Sequence, residues 1–218
     1  MGNRAAPDHK TSSLAALGLT ARAGREAQIT GLTVDSREVR TGVLFAALPG
    51  ARVHGGEFIK FALQMGAGAI LTDAQGAEIA AAELANSDAA LIVAQDPRQA
   101  LAQTASLWFG PHPDTVIAVT GTNGKTSVST FARQIWVEMG LMAVNLGTTG
   151  VEGAWTHPLK HTTPEPITLH RVMAQASGAG VTHVAMEASS HGLEQRRLDG
   201  VVLAAAGFTN FTQDHLDY

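Results

Sequence analysis

The residues Gly121-Thr122-Asn123-Gly124-Lys125-Thr126-Ser127 follow an apolar, β-branched run (Val116, Ile117, Val119) and open onto a helix-like segment that reaches Met139. A strand that turns through glycines into a helix is a physical recipe for holding phosphate. Gly121 and Gly124 let the backbone close round an anion, and the helix start offers N–H groups that have no partner inside the helix. In such a cradle Lys125 reaches the β- and γ-phosphates, and the Thr126 hydroxyl ligates Mg2+. A full Walker A pattern carries a glycine five residues before Gly124, where this chain has Val119. The shorter Gly-x-x-Gly-Lys-Thr is a weaker signal by itself, and most of its weight comes from the strand-to-helix context. The plainer reading is a glycine-rich turn with a solvated lysine.

Further chemistry sits where other strand-like runs end. Val181–Met186 leads into Glu187-Ala188-Ser189-Ser190-His191-Gly192. Glu187 offers the hard oxygen that Mg2+ prefers, or it caps the following turn together with Ser189 and Ser190. Val201–Phe208 leads into Thr209-Asn210 and then Asp214-His215-Leu216-Asp217, where His215 is either a second ligand or a surface residue. His161-Thr162-Thr163-Pro164-Glu165-Pro166 precedes a helical pattern. There Thr163 reads as N-cap with Pro164 at the first helical position, or the two threonines stand beside a bound substrate. Arg37 and Arg52 lie in polar loops after β-prone runs, and their guanidinium forks suit an anion as well as they suit water.

The elements that must position these residues alternate along the chain. Ile29–Val34 and Val43–Leu48 are β-prone, and Glu57–Met65 has helical spacing with Phe58, Phe61, Ala62 and Met65 on one face. Ala69–Leu71 reads as a strand, Ala77–Leu84 as an Ala-rich helix, and Ala90–Ala94 as a strand. Pro97–Trp108 reads as a helix begun by Asp96. Gly110-Pro111-His112-Pro113-Asp114 then punctuates the chain and marks a linker between units 1–110 and 111–218. Beyond it come strands at Leu141–Leu146, Val181–Met186 and Val201–Phe208, with a helix from Glu165 to Ala176. This alternation predicts an α/β fold with mostly parallel sheets, whose ligands gather at the carboxyl ends of the strands.

Composition narrows the function classes. The 218 residues carry 15 Lys and Arg against 19 Asp and Glu, so no basic excess exists to hold a nucleic-acid backbone. The absence of cysteine rules out disulfides, thiolate zinc sites and cysteine nucleophiles. No apolar run is long enough for a transmembrane helix, and Met1–Ser13 lacks the apolar stretch of a signal peptide. Trp108, Trp136 and Trp155 have no basic residues interleaved with them and read as packing residues.

Taken in order, Asp35-Ser36-Arg37, Gly121–Thr126, His161-Thr162-Thr163-Pro164, Glu187–Leu193 and Asp214-His215-Leu216-Asp217-Tyr218 resemble the Mur ligases of peptidoglycan synthesis. The pattern is most similar to the branch that adds the third residue of the stem peptide. The resemblance covers nearly all of this chain but only the amino-terminal half or less of the family's length. It implies a small N-terminal α/β domain that binds a uridine nucleotide, then a P-loop-type central ATPase domain that is incomplete here. The C-terminal amino-acid-binding domain and the family's carbamylated lysine are expected beyond Tyr218.

Carried over by position, the resemblance implies UDP-sugar contacts at Val34, Ser36, Ala51, Arg52 and Val53. ATP contacts fall at Gly121, Thr122, Asn123, Gly124, Lys125, Thr126 and Ser127. Contacts to the muramoyl peptide fall at His161, Thr162, Thr163, Ser189, Gln195 and Arg197; residue 161 is His where some relatives have Asn. Thr126, Glu187 and His215 would position Mg2+, and Lys125, Glu187 and His215 form the catalytic set. The implied substrates are UDP-N-acetylmuramoyl-dipeptide, ATP and meso-diaminopimelate or lysine, joined through an acyl phosphate in a cytoplasmic, monomeric enzyme without nucleic-acid or membrane partners. Two other readings use the same residues: a nucleotide- or UDP-sugar-binding module without turnover, and another Mur-type or folylpolyglutamate-type ligase.

Overall fold

A computed structural model describes residues 10–212 and divides the chain into two compact units, Met1–Trp108 and Phe109–Tyr218. His215, expected above to help position Mg2+, and its neighbours Asp214, Asp217 and Tyr218 lie outside the described residues.

The first unit opens with a short antiparallel pair, β1 (Ser12–Ser13) and β2 (Gln28–Ile29). Four further strands make a parallel sheet in the order of the chain: β3 (Gly31–Thr33), β4 (Val43–Ala46), β5 (Ala69–Thr72) and β6 (Ala90–Val93). The central strands β4 and β5 are buried at every residue, which is why both read as unbroken apolar runs rather than as alternating ones. Helix α1 (Ile59–Gln64) connects β4 to β5. Two short helices, α2 (Ala74–Ile79) and α3 (Ala81–Ala85), connect β5 to β6, and α4 (Pro97–Phe109) closes the unit.

Two local readings of the sequence need correction here. The buried face of α1 is Ile59 and Ala62, whereas Phe58, Phe61 and Met65 are 47%, 44% and 40% exposed. The single helix expected at Ala77–Leu84 is broken at Ala80, whose ψ of 22° takes it out of the helical region. The start of α4 follows expectation: Asp96 Oδ1 accepts from the Arg98 and Gln99 N–H groups, ahead of Pro97 at the first helical position.

The second unit is built on a five-stranded sheet in the order β11-β7-β10-β8-β9. These strands are β7 (Thr115–Thr120), β8 (Ala143–Gly147), β9 (Gly150–Gly153), β10 (His183–Glu187) and β11 (Ala205–Phe208). All neighbours run parallel except β9, which turns back antiparallel along β8. Helices α5 (Lys125–Glu138), α6 (Pro166–Gly178) and α7 (Ser190–Glu194) complete the alternation. The core gathers Val116, Ala118, Val144, Leu146, Leu169, Val172, Met173, Val184 and Met186, with Trp155 packed at its edge.

Helix α6 starts later than the sequence suggests. Its N-cap is Glu165, whose carboxylate accepts from the Ile167 and Thr168 N–H groups, and Pro166 stands in the first turn. Thr163 is therefore released from capping. His170 on α6 is fully buried; its Nδ1 lies 2.9 Å from His112 Nε2 and its Nε2 lies 3.1 Å from the Asp199 carbonyl oxygen. Burial pushes the His170 imidazole down to about 4, and burial lowers His112 as well.

Candidate functional site

Each unit carries its own candidate site at the carboxyl ends of its parallel strands. In the second unit the phosphate-loop candidate begins after Thr120, because Val119 is still inside β7, paired with Glu187 of β10 on one side and Gly207 of β11 on the other. The loop needs both of its glycines. Gly121 has φ of 127° and Gly124, the residue before α5, has φ of 87°, values that side-chain-bearing residues rarely adopt. A Cβ on Gly121 would also come within 2.1 Å of the Thr209 hydroxyl. Lys125 folds back over the loop, its Nζ donating to the Gly121 carbonyl at 2.5 Å and the Thr122 carbonyl at 3.1 Å. The start of α5 thus presents a cation held by the loop's own backbone, next to amides pointing along the helix axis.

A cavity of about 360 Å³ opens beside this loop, lined by Thr120, Gly121, Thr122 and Lys125 on one side and by Ser189, Ser190 and Leu193 on the other. Phe208, Phe211 and Thr212 close a third side. Asn123, Gly124 and Ser127 are exposed at the loop and first helical turn, and Thr126 is half-buried there.

Glu187 ends β10 and is 1% exposed. Its Oε1 accepts from the Thr148 N–H at 3.0 Å, and its Oε2 from the Thr148 hydroxyl at 3.3 Å. The Thr148 hydroxyl in turn lies 3.0 Å from that of Thr162. Thr163 Oγ1 donates to the Glu187 carbonyl and accepts from the Ser189 N–H, and the Ser189 hydroxyl caps α7 by accepting from the Gly192 N–H. Arg197 donates to the Thr163 carbonyl at 2.6 Å and grips the Gln195 side-chain oxygen through two nitrogens. Of the residues named for the muramoyl peptide, Thr162, Thr163, Ser189, Gln195 and Arg197 therefore belong to one hydrogen-bonded region around Glu187. His161 is exposed at its margin.

Each carboxylate oxygen of Glu187 takes one donor from Thr148, whereas an ionised carboxylate has about four acceptor positions. The donor set therefore fits a hard cation or its water. Among the described residues, no group of three or more His, Asp or Glu stands together as a metal site.

The first unit holds a cavity of about 710 Å³ lined by Val34, Asp35, Ser36, Arg37, Leu48 and Val53, with Phe45, Phe58 and Phe61 supplying an apolar wall. Ala51 and Arg52 are exposed on the same loop as Val53 without lining the cavity. Asp35 caps a short turn by accepting the Arg37 N–H at 2.9 Å, and its carboxylate also holds the Arg37 guanidinium at 2.6 Å. The Arg37 side-chain hydrogen bond is the main reason that the Asp35 carboxyl lies at about 2. Arg37 is thus tied to Asp35 while staying exposed toward the cavity mouth.

The loop that ends at Val53 is fixed from behind. Gly55 N–H donates to the Leu48 carbonyl at 2.8 Å, and His54 Nδ1 accepts from the Gly56 N–H at 2.9 Å. His54 Nε2 then reaches the Asp73 carboxylate at 3.1 Å. Burial works to raise the Asp73 carboxyl, but hydrogen bonds from the Gly76 N–H and His54 outweigh it and leave it below its ordinary value.

Sequence reading attaches no role to Phe45, Phe58 and Phe61, because apolar periodicity is taken as core, nor to Thr148 and Asn210. The signal for Thr148 was its place directly after β8. Phe58 and Phe61 carry no signal that separates a cavity wall from a core face.

Comparison with known proteins follows the same division. Residues 28–108 match the family described as Mur ligase family, catalytic domain, and residues 119–218 match the Mur ligase middle domain. The UDP-N-acetylmuramoyl-L-alanyl-D-glutamate–2,6-diaminopimelate ligase of Brucella melitensis is 49% identical over 194 residues, which are 88% of this chain and 38% of that protein. A solved structure of a ligase with the same name superposes with a TM-score of 0.75 at 29% identity, over 95% of this chain and 42% of the other. The MurF ligase of Thermotoga maritima, solved in complex with ADP, shares the fold with a TM-score of 0.52 at 21% identity, over 82% of this chain and 37% of its own. The chain thus spans less than half the length of the relatives it matches.

Proposed function

Because this chain belongs to the Mur ligase family, of which it carries the N-terminal and middle domains, we propose that it forms the UDP-sugar- and ATP-binding part of an amide-forming ligase. The substrate is UDP-N-acetylmuramoyl-L-alanyl-D-glutamate, and the added amino acid is diaminopimelate, as in the names of the Brucella relative and of the 29%-identical structure. The observation that carries this reading is the register of β7 and β10, which sets the Gly121–Thr126 loop and the buried Glu187 at neighbouring strand ends.

The reaction asks for positioning and charge stabilisation. The glutamyl carboxylate of the sugar peptide attacks the γ-phosphorus of ATP, the bond to ADP breaks, and an acyl phosphate forms. The amine of diaminopimelate then attacks the acyl carbon and phosphate leaves. No protein nucleophile is needed. Lys125, already held over the loop, supplies positive charge to the transferring phosphoryl group, and the first amides of α5 bind its oxygens. Thr126 and Glu187 would hold Mg2+, with His215 as the third candidate, and that ion when bound neutralises charge between the phosphates. Thr162, Thr163, Gln195 and Arg197 orient the peptide end of the substrate. In the first unit, Val34, Ser36 and Val53 contact the uridine nucleotide, with Ala51 and Arg52 on the rim.

Two experiments test this. A chain extended to the length of its relatives should form the UDP-muramoyl-tripeptide from diaminopimelate, with ATP consumed only when the other two substrates are present. A well-folded extended protein that forms no tripeptide would sink the ligase assignment. In the 218-residue chain, Lys125→Ala should weaken ATP binding at least tenfold without moving the melting temperature. Unchanged ATP affinity would remove Lys125 from the nucleotide site.

A further inference from the structure

The phosphate loop is held from outside by residues that the proposed chemistry does not use. Immediately after β11, the Thr209 N–H continues the ladder to the Thr120 carbonyl at 3.0 Å, and the Asn210 carbonyl accepts the Thr122 N–H at 3.1 Å. The side chain of Asn210 then engages both polar groups of a single loop residue. Its Oδ1 accepts the Asn123 N–H at 3.1 Å, and its Nδ2 donates to the Asn123 carbonyl at 3.0 Å. Thr209 Oγ1 donates to that same carbonyl at 2.6 Å. Two residues beyond Asn210, Thr122 Oγ1 and the Thr212 backbone bond in both directions at 3.1 Å.

Such a network is more than β11 needs to stay in the sheet, since β11 is already paired with β7 along Ala205–Phe208. Its target is the Asn123 peptide, one residue before Gly124. A stretch with two glycines at positive φ has many conformations available. Ordering each of its residues on binding would cost backbone entropy. An amide side chain that has already fixed the middle of the loop removes part of that cost from ligand binding. The orientation of the Asn123 peptide also sets where the Gly124, Lys125 and Thr126 amides point at the start of α5.

We propose that Asn210 is a positioning residue for the phosphate loop: by pairing with both polar groups of Asn123 it holds the loop and the start of α5 in binding-ready geometry before nucleotide arrives. This rests on the reading of Gly121–Ser127 as the ATP site. The role falls to the amide rather than to the strand because Asn210 both accepts from and donates to Asn123 with one side chain, whereas Thr209 Oγ1 only donates to it.

The test uses the 218-residue chain, with calorimetric titration of ATP in the presence of Mg2+ and, separately, of UDP. In Asn210→Ala the loop loses both hydrogen bonds that fix Asn123, so the ATP dissociation constant should rise roughly 10- to 30-fold. Asn210→Asp keeps an acceptor for the Asn123 N–H but turns an oxygen toward the Asn123 carbonyl, and should bind ATP no better than the alanine variant. In both, UDP affinity should stay at its wild-type value and the melting temperature should fall by no more than a few degrees, while amide hydrogen exchange accelerates in the peptide spanning Gly121–Lys125. Wild-type ATP affinity in both variants would overturn the inference, as would an equal loss of UDP and ATP binding with a lowered melting temperature. A wild-type chain that binds UDP but not ATP would overturn the nucleotide reading of the loop itself, and the inference with it.

Discussion

Glu187 rests both of its carboxylate oxygens on one residue, Thr148, taking its backbone N–H at 3.0 Å and its hydroxyl at 3.3 Å. Glu187 ends β10 and Thr148 directly follows the neighbouring parallel strand β8, whose last residue, Gly147, leaves room for the carboxylate: a Cβ there would lie 1.9 Å from Glu187 Oε1 and force that side chain to move. The carboxylate is thereby aimed by a backbone amide that no substitution at position 148 other than proline removes.

That arrangement separates the charge of Glu187 from its structural part. Glu187→Gln can turn its amide oxygen to the Thr148 N–H and its NH2 to the Thr148 hydroxyl, which is able to accept. Thermal unfolding should then change by no more than about 1 kcal/mol, equivalent to roughly 2–4 °C. Mg2+-dependent ATP affinity should fall about tenfold, since a neutral amide is a poor ligand for a hard cation. Thr148→Val removes the hydroxyl and keeps the amide, and should cost about 1 kcal/mol of stability with a smaller effect on ATP. Calorimetry and melting curves on both variants check this, and an equal loss of ATP affinity in the two would refute the separation.

Val119 makes a second prediction, and it runs against the sequence pattern. Its side chain is 2% exposed, one residue from the end of a strand that is paired on both sides. Val119→Gly would restore the full Walker A spacing, yet it empties core volume and loosens β7, at a cost of about 2–4 kcal/mol. ATP affinity should not improve. Gly121→Ala should be worse for the nucleotide than for the fold, because its Cβ would meet Thr209 and displace the loop from its clamp. Tighter ATP binding by Val119→Gly would show that the loop begins earlier than Gly121.

These cases mark what could be read from residues alone. The strand–loop–helix at 115–127, the α/β alternation with mostly parallel sheets and the Asp96 cap depend on local pattern, and each is present in the structure. The roles of Thr163 and Phe58 depend on which of two local solutions the tertiary structure selects. Glu165 competes successfully for the α6 cap because its longer side chain reaches back to two amides, which leaves Thr163 for Glu187 and Ser189. Phe58 and Phe61 have the spacing of a core face, but Ile59 and Ala62 fill the space over the sheet and turn the aromatic rings to the cavity. Asn210 lies almost 90 residues from its partner Asn123 along the chain, a separation at which no periodicity carries information.

The last prediction concerns pH. The Asp199 carbonyl can only accept, so His170 carries its proton on Nε2 and its bare Nδ1 receives the His112 Nε2–H. Burial of the charge that a second proton would bring is the main reason its imidazole is held down to about 4 against an ordinary value of 6.5, and the neighbouring His112 adds to the effect. Because the unfolded chain takes up this proton first, stability is full above pH 6.5 and declines as pH falls from there through about 4, by on the order of 2–3 kcal/mol. Below that window both states are protonated and His170 contributes no further slope. His170→Gln can still donate to the Asp199 carbonyl but cannot titrate, so its melting temperature should vary less between pH 6.5 and 4 than that of the wild type. His112, lowered by burial in the same direction, leaves a residual slope in that variant. Melting curves at half-unit steps of pH decide the matter, and parallel profiles for the two proteins would show that His170 is not the group that titrates.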